Sequence, residues 1–391
     1  MNILLISYHF LPGFEGSTSL VTTIADLLAN NGHKVWVITH RFKGVEYKTH
    51  PNIKIVFVSS ELSFGENKTS LSRTIRFTLA AIQAGLKIIK KEKIDIIHSN
   101  AIAGPAGAWL SYLSSKKHIM LLHDVYSADP NFWKEWKKQE GNSSFNALLG
   151  KLLEKVYVHS RYAAIHTVSE ASREDLIKVG VKKPIYVIEN AIQIRDPENV
   201  EKKPLQFVYV GRLVFYKNIQ TAIKAIEIVK KSFPDIKLVI IGSGPYRKNL
   251  EELVAKLGLQ NNVTFMGNVS EDKKNKMLAE SQALVFPSLF EGFGLVILEA
   301  FMQHVPVLVS DIRPLSDIVE NQKTGLVISA KEEKMWAKSI ENILKEPEKM
   351  QIMGNYGRQS LVSKYSFSVM EQKIVAMYEN VIALAEKKDE K

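Results

Sequence analysis

The sequence predicts an α/β protein made of two Rossmann-like, doubly wound parallel-sheet domains. Three observations carry that expectation. Residues Ala283 to Val309 read as strand, Gly-rich loop, helix, strand, which is one βαβ unit of a parallel sheet. From Asn2 to Glu189 apolar, strand-like runs alternate with helical stretches, a pattern of parallel strands with helices on both faces. The alternation then stops at Ala191 to Pro204 and starts afresh. A chain of 391 residues is also too long for a single core.

Taken in order, Asn2 to Ser7 reads as the first strand. A loop holding Pro12, Gly13 and Gly16 follows, and Ser17 or Thr18 can cap a helix closed by Gly32. Strands are expected at Lys34 to Thr39 and Ile53 to Ser59, then a long helix from Ser70 to Lys91. Asp95 to Ser99, Gly104 to Ser114 and His118 to His123 repeat strand, helix, strand. Ala163 to Val168, a helix from Ser169 and Ile185 to Glu189 end the first series. Ala191 to Pro204, with Asp196, Pro197, Lys202, Lys203 and Pro204, has little apolar content and reads as a linker.

The second series begins with the strand Leu205 to Val210 and the helix Asn218 to Phe233. Ile236 to Ile241, Tyr246 to Leu257, Val263 to Met266 and a helix from Ser270 lead into the βαβ unit. A short helix near Pro314 to Glu320, a short strand Gly325 to Ile328 and helices from Glu332 follow. The domains are accordingly expected at 1–195 and 196–365. A last helix, from Ser366 to about Glu386, exceeds what the second domain needs.

Hydrophobic residues at 46% and charged residues at 24% describe an ordinary water-exposed globular protein. The absence of Cys excludes disulfides and thiolate metal sites. No apolar run reaches bilayer-spanning length, and Met1-Asn2-Ile3 leads straight into a strand rather than a basic signal region; a cytoplasmic protein is expected. The formal charge of +11 suits an anionic partner: a nucleoside diphosphate, an acidic membrane or nucleic acid. No helix-turn-helix, zinc-finger or RNA-binding aromatic motif favours nucleic acid.

The most informative stretch is Glu291-Gly292-Phe293-Gly294-Leu295-Val296-Ile297-Leu298-Glu299. Ligands of open parallel sheets bind beyond the carboxyl ends of the strands, where Glu291 falls. Gly292 and Gly294 let backbone approach a ligand with no Cβ in the way. A helix starting near Gly294 points its first amides at the crevice and favours an anion. Glu299 lies four residues after Leu295, on the same face, and suits an acceptor for sugar hydroxyls. The alternative is two glutamates flanking an ordinary amphipathic helix, but the residues between them are almost wholly apolar or Gly, and a carboxylate there lacks water unless it faces a cleft.

Glu, seven residues, Glu, with Gly-Phe-Gly inside, resembles the signature of the retaining glycosyltransferases of the GT-B fold, family four. The resemblance implies two Rossmann-like domains facing a cleft, with the last helix, 366–391, packing back on the first domain. It implies further positions. Gly211-Arg212, with Lys217-Asn218 after it, follows the first strand of the second domain, and Arg and Lys there hold a diphosphate. Gly242-Ser243-Gly244-Pro245 is weak as a dinucleotide motif but matches the loop beneath the donor nucleotide. Phe265 to Val269, with Met266 and Val269, matches the segment whose backbone meets the base. In the first domain Gly16, with Gly13, matches the loop near the donor phosphates. His123-Asp124 matches the active-site His that contacts the transferred sugar. Asn190 stands where the family has Pro-Asn-Gly, with Glu189 and Ala191 substituted. His98, His159 and His166 read as structural.

Asn131 to Lys138, Asn-Phe-Trp-Lys-Glu-Trp-Lys-Lys, forms a further motif. Trp133 and Trp136 are three apart on one helical face with Lys134, Lys137 and Lys138 nearby. Such a helix sits at a membrane interface, closes over an acceptor, or is solvated.

The resemblance implies a metal-independent, retaining hexosyltransferase. The donor is a nucleoside diphosphate sugar and the acceptor a sugar, glycan or lipid, with peripheral contact to an anionic membrane and no other cofactor. Catalytic roles fall to His123, Glu291, Arg212 and Lys217. Donor contacts fall to Gly16, Gly211, Gly242, Met266, Val269, Gly292, Phe293, Gly294, Leu295 and Glu299, and acceptor-side contacts to Asp124 and Asn190. No Asp-x-Asp motif is present. A sugar nucleotide epimerase, a phosphorylase and a non-catalytic nucleotide-sugar binding protein remain as alternatives. A dinucleotide oxidoreductase is disfavoured, since no Gly-x-Gly-x-x-Gly follows the first strand of either domain.

Overall fold

The computed structural model describes residues 1–10, 16–59, 61–62, 71–140 and 144–389, and only the backbone of 16–19, 139–140, 144–147 and 384–389. The chain forms two compact units. The first holds Met1–Pro130, Leu148–Asn190 and Ser368–Lys391; the second holds Asn131–Ala147 and Ala191–Phe367.

The first unit carries β1 (Asn2–Ile6), α1 (Gly16–Asn30), β2 (Lys34–Thr39), β3 (Ile53–Phe57), α2 (Leu71–Glu92), β4 (Ile96–Asn100) and α3 (Gly104–Ser114). After β5 (Lys117–Leu122) the chain forms α4 (Phe132–Glu140), which belongs to the second unit. It returns through α5 (Ser144–Val158), β6 (Ala164–Thr167), α6 (Glu170–Lys178) and β7 (Ile185–Val187). The seven strands are parallel, in the order β3-β2-β1-β4-β5-β6-β7. The order reverses between β1 and β4. Central strands have both faces covered, so Leu4, Leu5, Ile96 and Ile97 are all buried.

Strand alternation assigns the two faces. Ile97, Leu4 and Ile6 join Phe77 and Ala81 of α2 and Leu110 of α3 in one core cluster. His98 points the other way, where its Nδ1 lies 2.7 Å from the Tyr378 hydroxyl of the terminal helix.

The second unit begins with an extended stretch from Ala191 and then carries β8 (Gln206–Val210), α7 (Ile219–Val229), β9 (Lys237–Ile241), α8 (Arg247–Lys256) and β10 (Val263–Gly267). α9 (Glu271–Ala279), β11 (Ala283–Phe286), α10 (Leu295–Met302), β12 (Val307–Ser310), α11 (Leu315–Ile318) and β13 (Gly325–Ile328) follow. α12 (Glu333–Lys345) and α13 (Pro347–Lys364) close it, and α14 (Phe367–Asp389) lies almost wholly in the first unit. The six strands run parallel in the order β10-β9-β8-β11-β12-β13, so here the reversal falls between β8 and β11.

Two features differ from the sequence reading. Residues 131–147 count with the second unit, although they lie inside the range assigned to the first domain. The cause is Phe132, buried with its ring 5.4–6.0 Å from those of Phe215, Tyr216 and Phe290. The other is α5, which the alternation of runs did not mark; Gly150 and the mixture of Leu with Lys within it blur its helical period.

Candidate active site

Three strand ends of the second sheet are tied into one ledge by main-chain hydrogen bonds. Gly211 N–H donates to Ile241 O (3.0 Å), Leu213 N–H to Ser243 O (2.9 Å) and Gly242 N–H to Gly267 O (2.8 Å). The packing is close enough to demand glycine. Gly242 has φ +129°, and a Cβ on it would lie 2.0 Å from Gly211 O. Met266 and Val269, at and just after the end of β10, flank this ledge half-buried.

Across the reversal, the loop after β11 presents Glu291. Lys217 Nζ donates to Glu291 Oε1, and Ser288 Oγ donates to the same oxygen at 3.0 Å. The side chains of Lys217 and Glu291 are only 12% and 9% exposed. Lys217 also lies over the rings of Tyr216 and Phe286, 5.4 and 5.5 Å from their centroids, a placement that favours a cation. Asn218 fixes the loops around the pair: its Nδ2 donates to Pro287 O (3.0 Å) and Ala330 O (2.8 Å). Leu289 N–H adds a bond to Tyr216 O at 2.7 Å. A cation from the β8 loop and a carboxylate from the β11 loop therefore meet where open α/β sheets bind ligands.

Arg212 keeps its side chain exposed, with Nη2 donating to the Tyr216 hydroxyl at 2.9 Å. Its carbonyl accepts from the Tyr209 hydroxyl at 3.1 Å. Burial raises the Tyr209 pKa well above the ordinary range, and the Glu291 carboxylate adds to that; the phenol stays a donor.

Gly294 caps α10 with φ +106°, in the left-handed region, and Leu295 begins the helix half-buried. Gly292 is half-buried, whereas Phe293 is buried with its ring 5.9 Å from that of Tyr365; only its backbone can meet a ligand. One turn on, Glu299 Oε1 accepts from Lys274 Nζ at 2.9 Å, and Glu271 Oε2 lies 2.8 Å from the same ammonium. Burial pushes the Glu299 pKa up against the pull of Lys274.

The first unit places its expected residues at the same end of its own sheet. Gly16 opens α1, while Gly13 lies outside the described residues. His123 follows β5 half-buried; its carbonyl accepts from Ser172 Oγ at 2.9 Å and, among the described residues, its buried Nε2 has no hydrogen-bond partner. Burial lowers its pKa to about 4, so the ring is neutral near pH 7. Asp124 accepts from the Tyr126 hydroxyl (3.4 Å). Asn190 is buried, and its Oδ1 lacks a partner among the described residues. In α4, Trp133 and Trp136 lie edge to face with centroids 5.6 Å apart, both half-buried.

Comparison with known proteins decides the family. The model of Glycosyltransferase Family 4 matches residues 14–196 and that of Glycosyl transferases group 1 matches residues 190–360. The chain belongs to the GT-B glycosyltransferases. An uncharacterized glycosyltransferase of Methanocaldococcus jannaschii is 25% identical over 97% of this chain and 98% of its own. The fold matches sucrose-phosphate synthase from Thermosynechococcus elongatus with TM-score 0.81 at 19% identity, over 98% of this chain and 99% of that one. It also matches Anabaena HepE, solved with UDP-glucose, with TM-score 0.74 at 18% identity, over 97% and 100%.

Sequence reasoning missed several residues of this glycosyltransferase site. Tyr209 was simply part of an apolar strand, yet it supports Arg212 from below. Ser288 follows an apolar strand run and carries no motif signal, yet it holds Glu291. Lys274 is one of three lysines in the six residues Glu271 to Lys276; nothing in the spacing singles out the one that meets Glu299.

Proposed function

We propose that this glycosyltransferase moves a hexosyl group from a nucleoside diphosphate sugar to a hydroxyl of a glycan or lipid acceptor, with retention at the anomeric carbon. The observation that carries the reading is the Lys217–Glu291 pair at the strand reversal, with Arg212 beside it and the start of α10 next to Glu291 in the chain. The HepE complex with UDP-glucose supports the donor class.

In the proposed step the bond from anomeric carbon to diphosphate oxygen breaks and a bond to the acceptor oxygen forms on the same face. The acceptor proton passes to a donor phosphate oxygen. Negative charge grows on the departing diphosphate, and fixed positive groups stabilise it without reorganising. Arg212, Lys217 and the first amides of α10 supply them. Lys217 has three N–H donors, so it can keep Glu291 while adding a phosphate oxygen. Glu299 accepts from donor hydroxyls. Neutral His123 contacts the transferred sugar. With two cations and a helix terminus in that role, the reaction is proposed to run without a metal ion.

The test is turnover of UDP-, GDP- and ADP-sugars, with and without sugar acceptors, with and without a chelator. The anomeric configuration of the product is read by proton NMR. Acceptor-dependent diphosphate release and a retained anomer are expected, at a rate the chelator leaves unchanged. Turnover of donor alone indicates an epimerase, dependence on inorganic phosphate a phosphorylase, and binding without turnover a binding protein.

A further inference from the structure

Phe132 fastens α4 to the second unit and so fixes where the rest of that helix lies. Its ring is 5.7 Å from that of Tyr216 and 5.4 Å from that of Phe290, in the loops that follow β8 and β11. Tyr216 is the residue whose hydroxyl accepts from Arg212, and Lys217 lies over its ring. From Phe132 the rings continue along the helix. Trp133 meets Phe132 edge to face at 5.6 Å, and Trp136 meets Trp133 in the same way at 5.6 Å. A run of aromatic rings thus leads away from the cations proposed to hold the diphosphate, along one side of α4.

Helical spacing produces this run. Phe132, Trp133 and Trp136 fall within about 100° of the helix circumference, given about 3.6 residues per turn. Lys134, Lys137 and Lys138 fall outside that arc and are exposed. The two tryptophans are half-buried. A tryptophan that only fills a core is buried outright, as Trp36 and Trp336 are in this chain. Phe132, the smaller ring, is buried and does the packing. Trp133 and Trp136 keep part of their ring surface open on the helix that Phe132 holds beside the site.

We propose that Trp133 and Trp136 form the stacking platform for a sugar ring of the acceptor, so that the acceptor is a carbohydrate bound by the apolar face of its ring. The inference rests on the transfer reading above. The C–H groups on one face of a pyranose carry partial positive charge and meet the negative face of an indole, while the indole N–H donates to a hydroxyl. Aromatic walls with a few polar groups are the usual lining of a small-molecule site. Two rings set at 86° form a corner, with one wall for the face of the sugar and one for its edge. A lipid surface suits this helix less well. Membrane-docking helices turn their tryptophans outward, whereas α4 exposes its lysines and half-buries its tryptophans. Among the described residues no helix is long and apolar enough to cross a membrane.

The test titrates the full-length protein with methyl glycosides and disaccharides of glucose, galactose, mannose and N-acetylglucosamine, with UDP, GDP or ADP present. Tryptophan emission is followed, and acceptor KM is then measured with the corresponding sugar nucleotides. At least one sugar should change the emission. Trp133→Phe with Trp136→Phe should abolish that change, and Trp109→Phe should keep it. Trp133→Ala and Trp136→Ala should each raise acceptor KM on the order of tenfold or more, with affinity for the bare diphosphate as in wild type. The single Phe variants retain a ring face and should recover part of the loss. The proposal is overturned by a wild-type acceptor KM in both Ala variants, or by wild-type emission that no sugar changes. Loss confined to acceptors embedded in vesicles, with soluble sugars turned over normally, also overturns it. So does a loss that Phe does not recover and that follows a lowered melting temperature, which marks a packing role. A wild type that binds sugar through the two tryptophans yet transfers nothing would sink the transfer reading and leave the sugar platform standing.

Discussion

Lys217 and Glu291 stand 74 residues apart in the chain and form one ion pair across the reversal of the second sheet. The pair has two roles that substitution can separate. Among the described residues Lys217→Met leaves nearly buried Glu291 with Ser288 as its remaining hydrogen-bond donor, and removing one partner of such a pair costs about 3 kcal/mol or more. Lys217→Met with Glu291→Leu removes both charges and should recover most of the lost stability in urea unfolding. Turnover should not recover: both variants should fall on the order of a hundredfold or more, as for loss of a preorganised charge contact. A double variant with near-wild-type turnover would leave the pair a purely structural contact.

Glu299 should act on donor binding. Glu299→Ala removes both acceptor oxygens, so donor affinity measured by calorimetry should fall by about 1.5–3 kcal/mol. Lys274→Met gives a subtler signal. Burial already raises the Glu299 pKa and Lys274 opposes that rise. Without the ammonium the pKa climbs further, and a protonated carboxyl accepts poorly. Donor affinity of Lys274→Met should therefore weaken as pH falls, more steeply than in wild type. Normal donor binding by Glu299→Ala would leave α10 a mere packing helix.

Much of the fold and part of this site were legible because they rest on local rules. Continuous apolar runs marked strands buried on both faces, and Gly292 and Gly294 marked the loop between β11 and α10. The partners of the glutamates were not legible, because Lys217 and Lys274 meet them through strand order and helix packing rather than through spacing. Phe132 shows the same limit: its sequence neighbours, Trp and Lys, suggested an independent surface helix, yet its ring is buried against residues from three other loop positions of the second unit.

Gly242 tests the ledge. Its φ of +129° is unfavourable for any L side chain, and a Cβ would meet Gly211 O at 2.0 Å, a backbone atom that cannot rotate away. Gly242→Ala should destabilise the protein by roughly 2 kcal/mol or more. Affinity for the diphosphate should fall as well, since the β8 and β9 loops must separate. A melting temperature equal to wild type would show that the loops do not pack this closely.

The first unit should be acid-sensitive. Burial lowers the pKa of His118 and His123 to about 4, that of His166 to about 3, and that of His98 well below its usual value. The contacts of His118 suit a neutral ring, with Nδ1 2.8 Å from Arg161 O as donor and Nε2 2.7 Å from Ser99 Oγ as acceptor. In the unfolded chain each ring gains a proton as pH falls through about 6.5, while in the folded protein His118, His123 and His166 stay neutral until about 4 or below and His98 is shifted in the same direction. Between those values the unfolded state binds more protons, so stability falls as pH falls, by about 1.4 kcal/mol per pH unit for each such histidine. Urea unfolding between pH 7 and 4.5 should show this slope, and His166→Phe should reduce it by about one proton. A flat profile would contradict the burial of these rings.

His123 differs from the other three by its position at the carboxyl end of β5. Its surface is partly accessible, and its Nε2 has no hydrogen-bond partner among the described residues. A neutral ring with an unused nitrogen can exchange a hydrogen bond with a sugar hydroxyl, whereas an imidazolium could only donate. His123→Ala should therefore leave affinity for the bare nucleoside diphosphate nearly unchanged and lower the transfer rate on the order of a hundredfold. The pH profile of kcat/KM gives an independent check. With the folded pKa near 4, the wild-type rate should show no histidine-like loss around pH 6.5 and should fall only as pH approaches 4. His123→Gln supplies a neutral donor and acceptor that does not titrate in this range. It should recover part of the rate lost in the Ala variant and flatten the acid limb. A wild-type rate in His123→Ala would remove the ring from the reaction and leave it a buried histidine like His166.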